Sequence, residues 1–187
     1  MGQSRDGTGD RLSPELAASL RDALGLTVAP QSLAEVFTGP VECQVETLFS
    51  PVPTGHRVRA GGRSGHLKCA LDGFLLAFLQ EEPVELRSTS PLTGTEVRAE
   101  ITRDGLRLSH GGAVLSLAAV AAGAESCLCV RCPDVHLFPS QEEYGRWAAT
   151  AADAGTVPLP AATAFELARM VVQQASRDGD RGKEACP

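Results

Sequence analysis

Residues 68–74 read Lys-Cys-Ala-Leu-Asp-Gly-Phe, and they open an apolar run that continues to Leu79. The length and composition of this run predict a helix. On that helix Cys69 and Asp72 would be three residues apart and would therefore share a face. The stretch thus predicts a central element of the fold together with a thiol placed next to a carboxylate.

Strands and turns are predicted on both sides of this helix. Residues 41–68 contain repeated glycines and prolines, which are typical of strands broken by turns. Polar and apolar residues alternate over 83–88 and again over 95–102, and further strands are predicted at 106–108 and 113–120. Because short turns separate these segments, we expect a mostly antiparallel sheet.

Helices are predicted towards both ends of the chain. Their expected ranges are residues 14–25, 29–37, 141–152 and 161–176. Ser13 and Ser140 stand in N-cap positions, and Glu143 has the capping-box spacing from Ser140. The predicted fold class is therefore α+β, a mostly antiparallel sheet with flanking helices and a short helical segment at the N-terminus.

The composition limits the classes of function. The chain carries 17 basic and 23 acidic residues, a formal charge of −6, and the basic residues are scattered along the sequence. This distribution is unlike a nucleic-acid groove. No run approaches the roughly 20 apolar residues that span a bilayer, and residues 1–10 are polar without a signal-peptide core. We expect a cytoplasmic protein with neither nucleic acid nor membrane as a partner.

The cysteines are the residue type that points to chemistry. In a reducing compartment six cysteines indicate thiols, ligands or nucleophiles rather than disulfides. Three of them, Cys127, Cys129 and Cys132, form a Cys-x-Cys-x-x-Cys cluster that could bind a soft metal such as copper or zinc. Cys129 is a candidate accessory ligand in such a site. Cys69 alone would more often be a small buried side chain, so its functional interpretation depends on Asp72 and Cys132.

The four histidines have structural interpretations at the level of sequence. His136 alternates with Val135 and Leu137, which is typical of a strand histidine whose ring is satisfied by its neighbours. His56, His66 and His110 stand among glycines and polar residues and are predicted in surface loops.

Four blocks of the chain resemble the organomercurial (alkylmercury) lyase family. Residues 68–72 are similar to the catalytic Cys-Ala-Leu-Asp segment of that family, and residues 87–94 to the strand and turn that follow it. Residues 132–140, Cys-Pro-Asp-Val-His-Leu-Phe-Pro-Ser, are similar to the segment of the second catalytic cysteine, and residues 143–147 to the next helix. The similarity covers roughly residues 65–174.

The resemblance implies a reaction and assigns roles in it. Members of the family cleave a carbon–mercury bond to give a hydrocarbon and Hg(II). Cys69 and Cys132 would be the thiolates that bind mercury, and Asp72 the carboxylate that binds mercury and relays the proton. No organic cofactor is implied, but small thiols or a mercuric reductase would have to accept Hg(II). Thiolates are the ligands that a soft metal prefers, so the residue types agree with this chemistry.

Three positions depart from the familiar pattern of the family. Ser90 stands where familiar members have a structural cysteine, and Lys68 and Arg131 replace aromatic residues before the two catalytic cysteines. These departures indicate that the substrate pocket differs from that of familiar members of the family.

The domain organisation is also inferred with the help of the resemblance. Residues 1–12 and 177–187 are predicted to be disordered tails, and residues 61–176 a catalytic domain with an organomercurial-lyase-like core. Residues 13–60 would form a short helical module, a candidate remnant of a winged helix.

Two alternatives remain open at the level of sequence. The chain could be a non-catalytic soft-metal binding or delivery protein for copper, zinc or mercury on the same fold, using Cys69, Cys132 and Cys129. It could also be a metal-sensing regulator, although its acidic charge and its lack of a basic recognition helix count against DNA binding. Asp72 separates the first alternative from the lyase, because capture of a metal needs no proton donor.

Overall fold

The computed structural model describes residues 11–24, 27–32, 35, 44–80, 82–118, 132–150 and 156–184. For residues 19, 22–24, 118, 132 and 177–184 it describes the backbone alone. The helices are α1 (Pro14–Leu24), α2 (Val45–Leu48), α3 (Ala70–Leu79), α4 (Gln141–Thr150) and α5 (Ala161–Glu184). The strands are β1 (Phe49–Ser50), β2 (His56–Ala60), β3 (Arg63–Leu67), β4 (Val84–Thr89), β5 (Glu96–Ile101), β6 (Leu106–Leu108), β7 (Val114–Ala118), β8 (Leu137–Phe138) and β9 (Thr156–Pro160), with a 3₁₀ turn at Cys132–Asp134.

The strands form two antiparallel sheets. The larger has six strands in the order β1-β3-β2-β4-β5-β6, and the smaller has three in the order β8-β7-β9. In β2, His56, Val58 and Ala60 are buried, whereas Arg57 and Arg59 are exposed. The six-stranded sheet therefore has one face in the core and one in solvent. The predicted α+β class with a mostly antiparallel sheet is confirmed.

Helix α3 is the central element of the core. Eight of its ten residues are buried, from Ala70 to Ala77, which explains why its sequence is apolar on all sides. It packs against β4 and α5, and the Phe78 and Phe165 rings lie 5.1 Å apart between the two helices. Because α3 is packed between β4 and α5, the backbone of its first turn fixes the positions of Cys69 and Asp72.

Gly73 marks the closest approach of α3 to the sheet. A Cβ atom at this position would lie 2.9 Å from Cδ2 and 3.3 Å from Cγ of Leu86, which is itself fully buried on β4. We expect Gly73→Ala to lower the free energy of unfolding by about 1 kcal/mol, because the clash costs more than the gain in helix propensity. Thermal or urea unfolding measures the change.

The matched control lies in α4. A Cβ atom at Gly145 would meet no atom within 4 Å, so Gly145→Ala should raise the free energy of unfolding by roughly 0.5–1 kcal/mol. Equal effects of the two substitutions would contradict the close packing of α3 on β4.

The helix predicted over 29–37 is wrong in its first part. Residues 27–32 are not helical, and Ser32 forms an isolated β-bridge with Arg11. Pro30 explains the difference, because a proline disfavours helical backbone in the residue before it. Of residues 33–37, the structure describes only Glu35. Helix α1 and the capping role of Ser13 agree with expectation, since the Leu16 amide donates to Ser13 Oγ at 3.2 Å.

The C-terminal helix is longer than predicted. Helix α5 continues to Glu184, beyond the end predicted at residue 176. The disordered tail expected over 177–187 stays a prediction, and residues 185–187 lie outside the described part. A helix whose earlier turns are anchored in the core is extended at little cost, because each added residue gains a hydrogen bond without a new nucleation step. Of the N-terminal tail expected over residues 1–12, residues 1–10 lie outside the described part of the chain.

The boundary proposed between residues 60 and 61 falls at the turn of the β2–β3 hairpin. The two strands pair from Arg57 with His66 to Ala60 with Arg63. Strands β1 and β2 therefore belong to the same sheet as β4 and β5, and a separate N-terminal module would have to end before Phe49. Within the described residues, no helix is both long and apolar enough to cross a membrane.

Candidate functional site

The thiol and the carboxylate predicted to act together meet at the start of α3. Cys69 is the N-cap residue and Asp72 the third residue of the helix, and each is 2 % exposed. The backbone N–H of Cys69 donates to Oδ2 of Asp72 at 2.9 Å, and the Cys69 thiol also hydrogen-bonds with Asp72. The Asp72 carboxylate thus satisfies a helix terminus and stays within proton-transfer reach of a thiol.

Burial changes the acidity of Asp72. Desolvation raises the pKa of its carboxyl to about 6, against the hydrogen bonds from the Cys69 backbone and thiol and the positive charge of Lys68, which lower it. A carboxyl with this pKa can both accept and return a proton near neutral pH.

The same shift predicts how stability depends on pH. The pKa of Asp72 is raised from 3.8 to about 6 in the folded chain, so between these pH values the folded chain binds this proton more tightly than the unfolded chain does. The stability that this proton contributes is therefore complete below about pH 4 and is lost as pH rises through 6. Asparagine carries no charge at either pH. We therefore expect the change in the free energy of unfolding caused by Asp72→Asn to be roughly 1–3 kcal/mol more favourable at pH 7 than at pH 4.

Urea unfolding at the two pH values measures this difference. Asp104→Asn is the control, because it makes the same change of side chain at an exposed turn. A pH-independent effect of Asp72→Asn would contradict the raised pKa.

The segment of the second cysteine is joined to the first turn of α3 by a backbone hydrogen bond. The N–H of Ala70, next to Cys69, donates to the carbonyl of Val135 at 3.0 Å. The 3₁₀ turn at Cys132–Asp134 immediately precedes Val135. The two sequence segments predicted to form one site therefore converge, although the Cys132 side chain itself lies outside the described part.

Ser116 on β7 holds this second segment in place. Its hydroxyl donates to the Asp134 carbonyl at 2.7 Å and accepts from the His136 N–H at 2.8 Å, and its own N–H donates to the His136 carbonyl at 2.9 Å. Ser116 is fully buried. Because polar groups without partners are costly in the interior, these bonds fix the backbone on both sides of Val135.

Two imidazoles lie close together at this segment, that of His136 within it and that of His56 on β2. His56 on β2 is 4 % exposed, its Nδ1 lies 2.9 Å from Ser88 Oγ, and its ring is 5.7 Å from that of His136. Burial, with a smaller contribution from the charge of His136, lowers the pKa of His56 to about 4, and burial also lowers the pKa of His136. At neutral pH both imidazoles are therefore uncharged, and they fill space beside the second segment without adding positive charge.

The surface loop predicted for His56 is wrong. Its burial could have been predicted from the alternation with Val58 and Ala60, which share its face of β2. His136 agrees with its prediction in part: it is half-buried beside the ring of Trp147, with centroids 5.4 Å apart.

Glu143 does not complete the predicted capping box. Ser140 caps α4 by accepting from the Glu143 N–H at 3.2 Å, but the Glu143 carboxylate turns to the β4–β5 turn, where Ser90 and Thr93 both donate to it. Ser90, the position where the family has a cysteine, is thereby satisfied as a buried hydroxyl. Sequence reasoning missed this contact because its partners are about 50 residues apart.

The other cysteines and the departure at Arg131 cannot be placed. Cys43, Cys127, Cys129, Cys186 and Arg131 lie outside the described residues, so the accessory role of Cys129 stays a prediction. Within the described part, no group of three or more His, Cys, Asp or Glu residues could hold a metal ion.

In this α+β fold a buried thiol and a buried acid meet at the start of α3, next to the turn that contains Cys132. Thiolates are the ligands that soft metals prefer. The sequence profile of the alkylmercury lyase family matches residues 49–173, about two thirds of the chain. The chain belongs to this family.

A similar solved structure is the mercury-bound form of MerB2, with a TM-score of 0.58 and 18 % sequence identity. The match covers 68 % of this chain and 62 % of that one, so this chain spans less than two thirds of its neighbour. A comparison with curated protein sequences gave no match.

Proposed function

We propose that this chain is an organomercurial lyase that cleaves a carbon–mercury bond by protonolysis, giving a hydrocarbon and Hg(II). The observation that carries the proposal is the pairing of Asp72 with Cys69 in the buried first turn of α3. The hydrogen bond from Ala70 to Val135 adds the segment of Cys132 to that pair. Membership of the alkylmercury lyase family supports the same reaction.

In the proposed first step the substrate R–Hg–X loses X⁻ as the sulfur of Cys69 binds mercury. The thiol proton passes to the Asp72 carboxylate, which already contacts that thiol. The pKa of Asp72, raised to about 6 by burial, suits this transfer, because a metallated thiol is a far stronger acid than a free one.

In the second step Cys132 binds mercury as a thiolate and releases its proton to solvent with X⁻. Two sulfur donors increase the electron density on the carbon bound to mercury, and Asp72 returns its proton to that carbon as the carbon–mercury bond breaks. The balance is R–Hg–X plus two thiols, giving R–H, a mercuric dithiolate and HX. No organic cofactor takes part, and small thiols or a mercuric reductase would remove the mercuric ion.

The burial of Asp72 distinguishes this proposal from a metal-delivery protein on the same fold. A site for capture alone gains nothing from a desolvated acid whose pKa is raised, since such a group costs stability at neutral pH. We therefore favour catalysis over delivery.

Ser116 is proposed as a positioning residue for Cys132. Ser116→Ala leaves the Asp134 carbonyl and the His136 N–H without their side-chain partner, so we expect the free energy of unfolding to fall by about 1–3 kcal/mol. We also expect hydrocarbon release to slow about ten-fold, whereas Ser116→Thr, which keeps the hydroxyl, should restore part of the rate. Ser64→Ala at an exposed position of β3 is the control. A normal rate in Ser116→Ala would contradict the positioning role.

The proposal is tested by headspace detection of methane from methylmercury mixed with the purified chain and an excess of small thiol. We expect methane in proportion to protein and none after denaturation. If mercury stays bound through gel filtration but no methane forms, the chain is a binding protein and the lyase proposal is wrong.

A further inference from the structure

The solvent face of the six-stranded sheet, opposite His56 and Ser88, carries a row of basic residues. Pairing registers place Arg57 beside Arg87 and Arg87 beside Arg98, with His66 beside Arg57 on the other side. We call Arg57, Arg87 and Arg98 the arginine row. Since neighbouring strands are about 4.8 Å apart, the row spans about 10 Å.

The charge of the arginine row is only partly compensated. In the described part of the chain all three arginines form ion pairs with one carboxylate, that of Glu96, at 3.0 Å from Arg57, 4.0 Å from Arg87 and 2.7 Å from Arg98. Arg87 also acts on Glu85, whose pKa it helps to lower, but that carboxylate is paired with Arg59. The side chains of the arginine row are 58 %, 47 % and 63 % exposed. Three guanidinium groups against one carboxylate leave two positive charges close together in a chain whose net charge is −6.

The next row of the same sheet face shows a different arrangement. There Arg59 forms an ion pair with Glu85 directly opposite, and Glu100 stands opposite Arg107. Opposite charges on facing positions stabilise a sheet, and like charges on facing positions destabilise it. The neighbouring row also sets Glu85 opposite Glu100, but its two arginines and two glutamates cancel, whereas the arginine row keeps an excess of positive charge.

A shallow groove of about 480 Å³ follows the row on its β3 side. It is lined by Arg57, Arg59, Ser64, Gly65, His66, Glu85 and Arg87, with Val58. Guanidinium groups bind carboxylates in a bidentate manner, and Ser64 adds a hydroxyl. The groove is thus built from donors, with Glu85, paired to Arg59, as its one acid.

We propose that the arginine row and this groove bind a short acidic segment of a partner protein. An extended segment with two or three carboxylates can reach arginines on successive strands, whereas a single small anion at so exposed a surface would be held weakly. A nucleic acid fits less well, because the acidic chain repels a long polyanion beyond the row. This proposal does not rest on the proposed lyase function.

The test is fluorescence anisotropy with a labelled hexaglutamate peptide at low ionic strength, using the full chain. We expect saturable binding that weakens at least ten-fold in Arg87→Glu and several-fold in Arg57→Gln. The matched control is Arg107→Glu, which makes the same charge change on the same face in the balanced row and should alter Kd less than three-fold. Thermal unfolding of each variant confirms that it is folded.

Three outcomes would overturn the proposal. Equal losses of peptide affinity in Arg87→Glu and Arg107→Glu would mean that the peptide is attracted by the overall charge of the sheet face and not by a defined site. Absence of saturable binding would mean that the surface has no site for acidic segments. Citrate or a short DNA duplex binding more tightly than hexaglutamate would identify a small-anion or nucleic-acid site instead. Methane release should be unchanged in the arginine variants, which separates this surface from the candidate active site.

Discussion

Replacing Asp72 with Asn is expected to slow hydrocarbon release by about 10²- to 10⁴-fold, the range that a general acid contributes. Asparagine keeps the shape of the side chain and an oxygen that can accept from the Cys69 N–H, but it carries no transferable proton. The N-cap should therefore remain, and only proton transfer should fail.

Binding and cleavage must be measured separately in this variant. We expect Asp72→Asn to retain methylmercury through gel filtration, measured as mercury per protein, while the headspace contains almost no methane. Asp104→Asn should behave like the unmodified chain in both assays. Methane release at the normal rate from Asp72→Asn would remove Asp72 from the reaction.

The second large effect is expected from the two thiols. Cys69→Ser and Cys132→Ser should each lower methane release by at least 10³-fold, because a serine oxygen is a poor ligand for a soft metal and the reaction needs both sulfurs. Each single variant should still bind one methylmercury at its remaining thiol, whereas the double variant should lose binding at this site.

Controls with the other cysteines make this prediction specific. Cys43→Ser and Cys186→Ser should leave the rate unchanged, and Cys129→Ser should weaken the capture of mercury without abolishing cleavage if it is an accessory ligand. If cleavage survives in Cys132→Ser but disappears in Cys129→Ser, the second sulfur is that of Cys129 and the assignment to Cys132 is wrong.

The fold was predictable where each element has a clear periodicity. Strands β4 and β5 have one buried and one exposed face, so their alternation marks them in the sequence. Helix α3 is apolar apart from Asp72 because eight of its ten residues are buried. Helix α5 was predicted too short, since the sequence of its last turns is charged and carries no apolar periodicity.

The candidate site was predictable as a set of residues but not as an arrangement. The motif at residues 68–72 indicated Cys69 and Asp72, and local spacing was enough to place them together. The approach of Val135 to Ala70 and the three hydrogen bonds of Ser116 depend on tertiary packing between distant segments. The burial of His56 was missed for a simpler reason, because glycines near it masked the alternation of β2.

In the proposed lyase, Cys69 and Cys132 bind one mercury atom beside Asp72. Anomalous X-ray diffraction at the mercury absorption edge, from crystals of the chain loaded with Hg(II), locates that atom directly. We predict a single main peak bonded to the sulfurs of Cys69 and Cys132, with the Asp72 carboxylate next to it. Mercury bound by Cys127 and Cys129, with the Cys69 sulfur unoccupied, would contradict this assignment of the ligands.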